Sequence, residues 1–164
     1  MCSPLKRNKM IAGSSVAAFV AAALCLAPSQ AEAASCSIGT VVGVALGGYD
    51  VFSSSPLDSA GSVTFSCTGV GANDVIYINL SRGGSATFFP RRMTSGGSAL
   101  EYNLFLDAAR TQVWGDGTGG SSHYGPVKPP EGTNTSLTVY GRAPARQNIS
   151  VGTYADPIVV TILY

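Results

Sequence analysis

The sequence predicts an all-β domain. Short alternating segments separated by Gly, Ser, Pro and Asp turns run through it, and no helix-period stretch of useful length follows Ala33. The run from Ile158 to Tyr164 is β-branched and apolar, is entered through Gly152, Asp156 and Pro157, and ends the sequence. A last strand that belongs to the core either closes its sheet with earlier strands or leaves a place for a strand from another molecule.

Seven strands are expected. Thr40 to Leu46 is the first candidate, and Ser62 to Cys67 alternates with Val63, Phe65 and Cys67 on one face. Val75 to Ser81 sets Ile76, Ile78 and Leu80 on one side against Val75, Tyr77 and Asn79 on the other. Leu100 to Asp107, Thr111 to Trp114, Ser136 to Tyr140 and Ile158 to Tyr164 complete the set. Two stacked sheets would bury the alternating faces, with a closed barrel as the rival arrangement. Loops are expected at Gly47-Gly48, Ser53 to Gly61, Gly69 to Asn73, Arg82 to Ser98 and Gly115 to Thr135, the last a mobile surface excursion.

The first residues read as a secretory leader. Lys6, Arg7 and Lys9 precede an apolar run from Ile11 to Ala27, and Ala31-Glu32-Ala33 offers a small-residue cleavage site. This divides the chain into a signal peptide, residues 1–33, and one domain, residues 34–164. The apolar run is short for a bilayer span and interrupted by Gly13, Ser14 and Ser15, so no stable membrane anchor is expected. Cys25 follows Leu24, where a lipoprotein signal would carry a small residue, and is read as part of the leader. Of 10 basic and 9 acidic residues in the chain, Lys6, Arg7, Lys9 and Glu32 leave with the leader, so the mature domain is near neutral. No basic cluster remains to meet nucleic-acid phosphates or an anionic membrane surface.

Cys36 and Cys67 survive processing, and an even pair in an exported chain reads as one disulfide; two buried free thiols are the alternative. Closing a loop of about 31 residues stabilises by roughly 3 to 4 kcal/mol in the chain-entropy model. A metal site is not expected, since there is no C-x-x-C and His123 is the single histidine.

The remaining polar groups do not assemble into a catalytic pattern. His123 sits in a Gly/Ser loop without a nucleophile motif and reads as a solvated histidine. Asp107, Asp116 and Asp156 lie on different turns and read as turn or capping residues. Trp114 to Gly119 has the glycines of a phosphate loop but no lysine, so the expected structure is a tight turn with Asp116 bonded back to the backbone and Gly117 at positive φ. Arg91-Arg92 could clamp an anion, but the preferred reading lays both along apolar surface with their heads in water. Asn79, Asn134 and Asn148 begin glycosylation triplets, a pattern common by chance. No enzyme and no cofactor are expected. The reading from another class is a stand-alone carbohydrate- or surface-binding module using Trp114, Tyr124 and Tyr140 as stacking platforms.

The order of segments resembles the spore coat protein U domain family, shared with subunits of archaic chaperone-usher pili of Gram-negative bacteria. The matching pieces are Cys36, Gly48-Tyr49-Asp50, Gly61 through Cys67, Tyr77 to Ser81, Arg92-Met93, Leu100 to Asp107, Trp114 to Gly117, and Gly152 to Pro157 before the final strand. The resemblance implies an immunoglobulin-like β-sandwich lacking its last strand. It implies passage through the periplasm with a chaperone that lends a strand, transfer to an outer-membrane usher, and assembly with other subunits into a surface fibre or coat with an adhesion or biofilm role. Ile158, Val160, Ile162 and Tyr164 would form the edge of the acceptor groove. One departure stands out: with cleavage after Ala33 only Ala34 and Ser35 precede Cys36, so the chain is expected to accept a strand but not to give one. A place at the end of a fibre, or in a coat outside any fibre, follows from that.

Overall fold

The computed structural model describes residues 33–164; the proposed leader, and hence the cleavage site, lies outside the described residues. Eight strands occur among them: β1 Ser35–Val42, β2 Leu57–Thr68, β3 Ile76–Leu80, β4 Arg91–Ser95, β5 Ser98–Phe105, β6 Tyr124–Val127, β7 Thr135–Ala143 and β8 Val160–Leu163. They form two sheets, one ordered β1-β2-β7-β5-β4 and the other β6-β3-β8, so the fold is a sandwich and not a closed barrel. Every pairing between these strands is antiparallel.

Alternation explains the core. Val63, Phe65 and Cys67 of β2, Ile76, Ile78 and Leu80 of β3, and Leu100, Tyr102 and Leu104 of β5 are all buried, each at every second position. Cys36 and Cys67 stand opposite each other in the β1–β2 register and form the expected disulfide.

Leu57 to Gly61, expected to be loop, are the first residues of β2, paired with β7, and two further expected loops contain whole strands. β4 falls within Arg82 to Ser98 and β6 within Gly115 to Thr135. Their sequences, Arg-Arg-Met-Thr-Ser and Tyr-Gly-Pro-Val, carry charges or breakers that mask a two-residue period. β6 tolerates Pro126 because it is an edge strand, and Gly125 is required at φ 103° because a Cβ there would collide with the Ile76 carbonyl. Parts of the 115–135 segment pack back on the domain: Ser121 is 8% exposed, and Glu131 accepts from the Gly69 and Val70 amides at 3.0 and 2.8 Å. Conversely, Thr111 to Trp114 is no strand; it contributes single bridges, Val113 to Phe105 and Trp114 to Ser122.

The first strand begins and ends earlier than expected, and the residues after it leave the sheet edge. The chain beyond Val42 crosses the inner face of the large sheet over Gly61 of β2 and Gly141 of β7. A Cβ on Gly61 would strike the Val42 carbonyl, and one on Gly141 would strike the Val44 side chain. Ser59 Oγ holds the crossing by donating to the Ala45 carbonyl at 2.6 Å. This crossing puts Val44 between the sheets.

Candidate functional site

On the β1 and β8 side the two sheets are not joined by a strand. β1 and β8 are edge strands and lie beside each other, and no described strand pairs with the outer edge of either. Between them lies an apolar cleft of about 330 Å³. One wall is Val41 to Val44, the other runs from Tyr154 to Val160, and Val63, Leu104 and Val139 form the floor. Val41 and Val42 on one rim and Val159 and Leu163 on the other are 49%, 53%, 63% and 48% exposed.

The second wall is held on both sides. Ala155 exchanges main-chain hydrogen bonds with Thr94 at 3.1 and 3.2 Å, extending β4 by one bridge. The Asp156 carboxylate then accepts from Tyr102 Oη and from the Gly84 amide, each at 2.7 Å. Burial, with this contact to a carboxylate, pushes the Tyr102 phenol well above its usual range. Ser81 closes the turn into β8, its amide donating to the Val159 carbonyl and its hydroxyl accepting from the Val159 amide, both at 2.9 Å.

A second cleft of about 570 Å³ continues from the first, between residues 44–51 and 149–154 over Met93 and Leu100. Tyr49 spans its flank, donating to the Pro144 carbonyl and accepting from the Gln147 amide at 2.9 Å. The Gln147 side chain in turn pairs with both main-chain groups of Glu101 in the manner of a strand, at 2.7 and 2.8 Å.

The four residues expected along the groove edge separate. Ile158 and Val160 line the first cleft. Ile162 packs on the core beyond it, and Tyr164, 62% exposed, is outside the lining. The opposite wall, Val41 to Val44, lies in the segment the sequence marks as a first strand, but only the crossing over Gly61 and Gly141 brings it to the seam.

The arginine pair also separates. Arg92 is exposed and pairs with Glu101 at 2.9 Å. Arg91 departs from the surface reading: it is 0% exposed, donates to Asn103 Oδ1 at 2.9 Å and to the Trp114 carbonyl at 2.6 Å, and stands 5.0 Å from the Phe88 ring centroid. Burial brings the guanidinium down to about 10.

Trp114 cannot serve as a stacking platform. It is 0% exposed and donates from Nε1 to the Ile78 carbonyl at 2.8 Å. Tyr124 leans on Phe65 and Trp114, and Tyr140 lies beneath the Arg110 guanidinium. His123 is half-buried and edge-on to Tyr77 with centroids 4.7 Å apart, a tighter setting than a solvated loop histidine. Asp116 accepts from the Thr118 amide and hydroxyl with Gly117 at φ 82°, the turn the sequence predicts. Asp107 caps the Thr111 and Gln112 amides. Among the described residues no group of three His, Cys, Asp or Glu converges on a point, and no helix is long and apolar enough to cross a membrane.

Comparison with known proteins adds an independent line. The family model of the Spore Coat Protein U domain matches residues 21–161. Protein U of Myxococcus xanthus is 33% identical over 179 residues, covering 91% of this chain and 96% of that protein. Among solved structures, a chain of the CsuC-CsuE chaperone-tip adhesion subunit pre-assembly complex, from the archaic chaperone-usher Csu pili of Acinetobacter baumannii, is similar in fold. It matches with a TM-score of 0.55 at 21% identity over 80% of this chain, which spans 40% of the length of that one.

Proposed function

This chain belongs to the Spore Coat Protein U domain family, and we propose that it is a structural subunit of a surface fibre or coat that assembles by accepting a β-strand in the seam between β1 and β8. The family is one of pilus and coat subunits, not of catalysts. The observation that carries the finer reading is the seam itself, an apolar cleft bounded by two edge strands whose outer edges pair with no described strand.

An edge of this kind is a template for strand addition, with main-chain hydrogen bonds supplying affinity and alternate side chains filling the cleft. Three inward side chains of a donor would contribute on the order of 5 to 9 kcal/mol before the cost of ordering the strand. Left empty, the same seam is an aggregation hazard, so a periplasmic chaperone that lends a strand is the first partner of this reading. An outer-membrane usher and neighbouring subunits follow as the later ones. The site of action is then the periplasm in transit and afterwards the cell surface or coat, where an adhesion or biofilm role would lie. Residues 34–164 are the working domain, and Ile158 and Val160 line the accepting edge, with Ile162 behind it and Tyr164 at its end.

The test is the yield and thermal unfolding of the exported chain, produced alone and with a periplasmic chaperone. Recovery only as a one-to-one complex is expected. A cooperative, stable monomer without any partner would mean that the sandwich is already closed, and would end this reading.

A further inference from the structure

We propose that Met93 is a site of reversible oxidation: a two-electron oxidant such as hydrogen peroxide converts its thioether to the sulfoxide while the seam is empty, and the sulfoxide then hinders filling of the seam. The inference rests on the strand-accepting reading above and adds to it a chemical condition on the accepting chain.

Met93 is the single methionine of residues 34–164. It is half-buried on β4, stands opposite Leu100 of β5, and belongs to the lining of the first cleft and of the second. Val44 and Tyr154 are the other residues shared by both linings, so these three mark the junction where one cleft passes into the other. An empty seam leaves that junction open to a small oxidant, and a side chain seated there covers it.

The other oxidisable groups are out of reach. Cys36 and Cys67 are already joined as a disulfide, and Trp114 is 0% exposed. Mild peroxide therefore finds one thioether to attack. The sulfur gives up two electrons and takes one oxygen atom from the peroxide, whose other oxygen leaves as water. A methionine sulfoxide reductase reverses the step with two electrons from a dithiol, which becomes a disulfide as the added oxygen leaves as water.

What that oxygen does depends on whether the seam is filled. In the open cleft water solvates it, so the empty fold tolerates the change. A seated apolar side chain expels the water, and the side chains of the lining offer no replacement. The Tyr102 hydroxyl is committed to Asp156, that of Tyr49 to the Pro144 carbonyl, and that of Tyr154 to the Ser150 carbonyl at 2.8 Å. Among the described residues no lysine, arginine or histidine lines either cleft, and the one charged side chain there, Asp156, is itself an acceptor. A buried acceptor left without a donor weakens occupancy on the order of ten- to a hundred-fold.

The experiment starts from the exported chain purified in its chaperone complex. The complex is opened in denaturant without reductant, one half is treated with hydrogen peroxide, and both halves are diluted into a series of chaperone concentrations. Conversion of Met93 is read by mass spectrometry as the gain of one oxygen, and recovery of the complex by size-exclusion chromatography. The chaperone concentration giving half-maximal recovery is expected to rise at least about ten-fold on oxidation, and to return after treatment with a methionine sulfoxide reductase. Met93→Leu, which keeps an apolar side chain without the thioether, should recover equally with and without peroxide. Met93→Gln, polar at the same position, should recover poorly without any oxidant. Trp114 reports on the fold separately, and its emission immediately after dilution should be the same in both halves. Equal recovery from the oxidised and untreated halves would overturn the inference and leave the strand-accepting reading intact. Loss of the buried Trp114 emission on oxidation would put the damage in the fold rather than the seam, and would overturn it also. A chain that stays a stable monomer and takes no chaperone would remove the strand-accepting reading itself, and the inference with it.

Discussion

Arg91 and Ser81 are joined by two hydrogen bonds, Nε at 3.0 Å and Nη2 at 2.9 Å both donating to the Ser81 carbonyl. The guanidinium thereby ties β4 of the large sheet to the end of β3 in the small one, next to the turn where Ser81 holds Val159. The mouth of the seam is thus braced by a buried cation that satisfies main-chain acceptors rather than a carboxylate.

Removing that cation should be costly. Arg91→Ala is expected to lower stability by about 3 to 5 kcal/mol, because it empties a large buried volume and leaves the Ser81 and Trp114 carbonyls without their donor. Arg91→Lys should recover only part, since a lysine cannot reproduce the planar fork. Denaturant unfolding of both variants, each bound to the same partner, measures the difference.

The crossing of the sheet by residues 42–45 predicts an asymmetry between two glycines. Gly61→Ala meets the main-chain carbonyl of Val42, which cannot turn aside, whereas Gly141→Ala meets a valine methyl that can move. The first should cost about 3 kcal/mol and the second about 1. Equal unfolding midpoints for the two variants would refute this account of the crossing.

Replacing Cys36 and Cys67 together by alanine should destabilise by roughly 3 to 4 kcal/mol, chiefly by freeing the unfolded chain. The same loss of stability should appear when the intact protein is unfolded in the presence of reductant.

Three carboxylates set the acid limit. A hydrogen bond from Arg142 holds Asp58 below 3.8, the Gln112 amide does so for Asp107, and the Thr118 hydroxyl for Asp116. Each folded-state value lies below the unfolded one, so the stabilisation is present above about pH 4 and is lost as pH falls through the folded values. Tyr102 acts at the other end. Its value is raised in the fold, so its contribution is full below about pH 10 and is lost as pH rises beyond. Unfolding midpoints followed from pH 2 to 11 should fall at the acid end; above about pH 10 the lowered Arg91 guanidinium acts in the opposite sense to Tyr102, so Tyr102→Phe should raise the alkaline limb relative to the unaltered protein and leave the slope of the acid limb unchanged.

Local chemistry was readable wherever a feature depended on neighbours in the chain. The two-residue alternation of Val63, Phe65 and Cys67, and of Ile76, Ile78 and Leu80, identified buried faces because a strand turns every second side chain the same way. The Asp116-Gly117 turn was equally plain, since an aspartate bonding back to the amide two residues on needs no tertiary help. β4 and β6 were hidden for the converse reason: an arginine pair and a Gly-Pro step look like loop until a neighbouring strand supplies the ladder.

By itself, then, the sequence determined an all-β chain with one disulfide, because periodicity and cysteine count are properties of the chain alone. Only the tertiary structure decided that Arg91 is interior, that Trp114 is core and that Val41 to Val44 form the facing wall of the seam. The carbonyls that solvate Arg91 and the glycines that admit Val44 are far away in sequence. Burial of a charge or the path of a crossing depends on groups that meet only when the two sheets close.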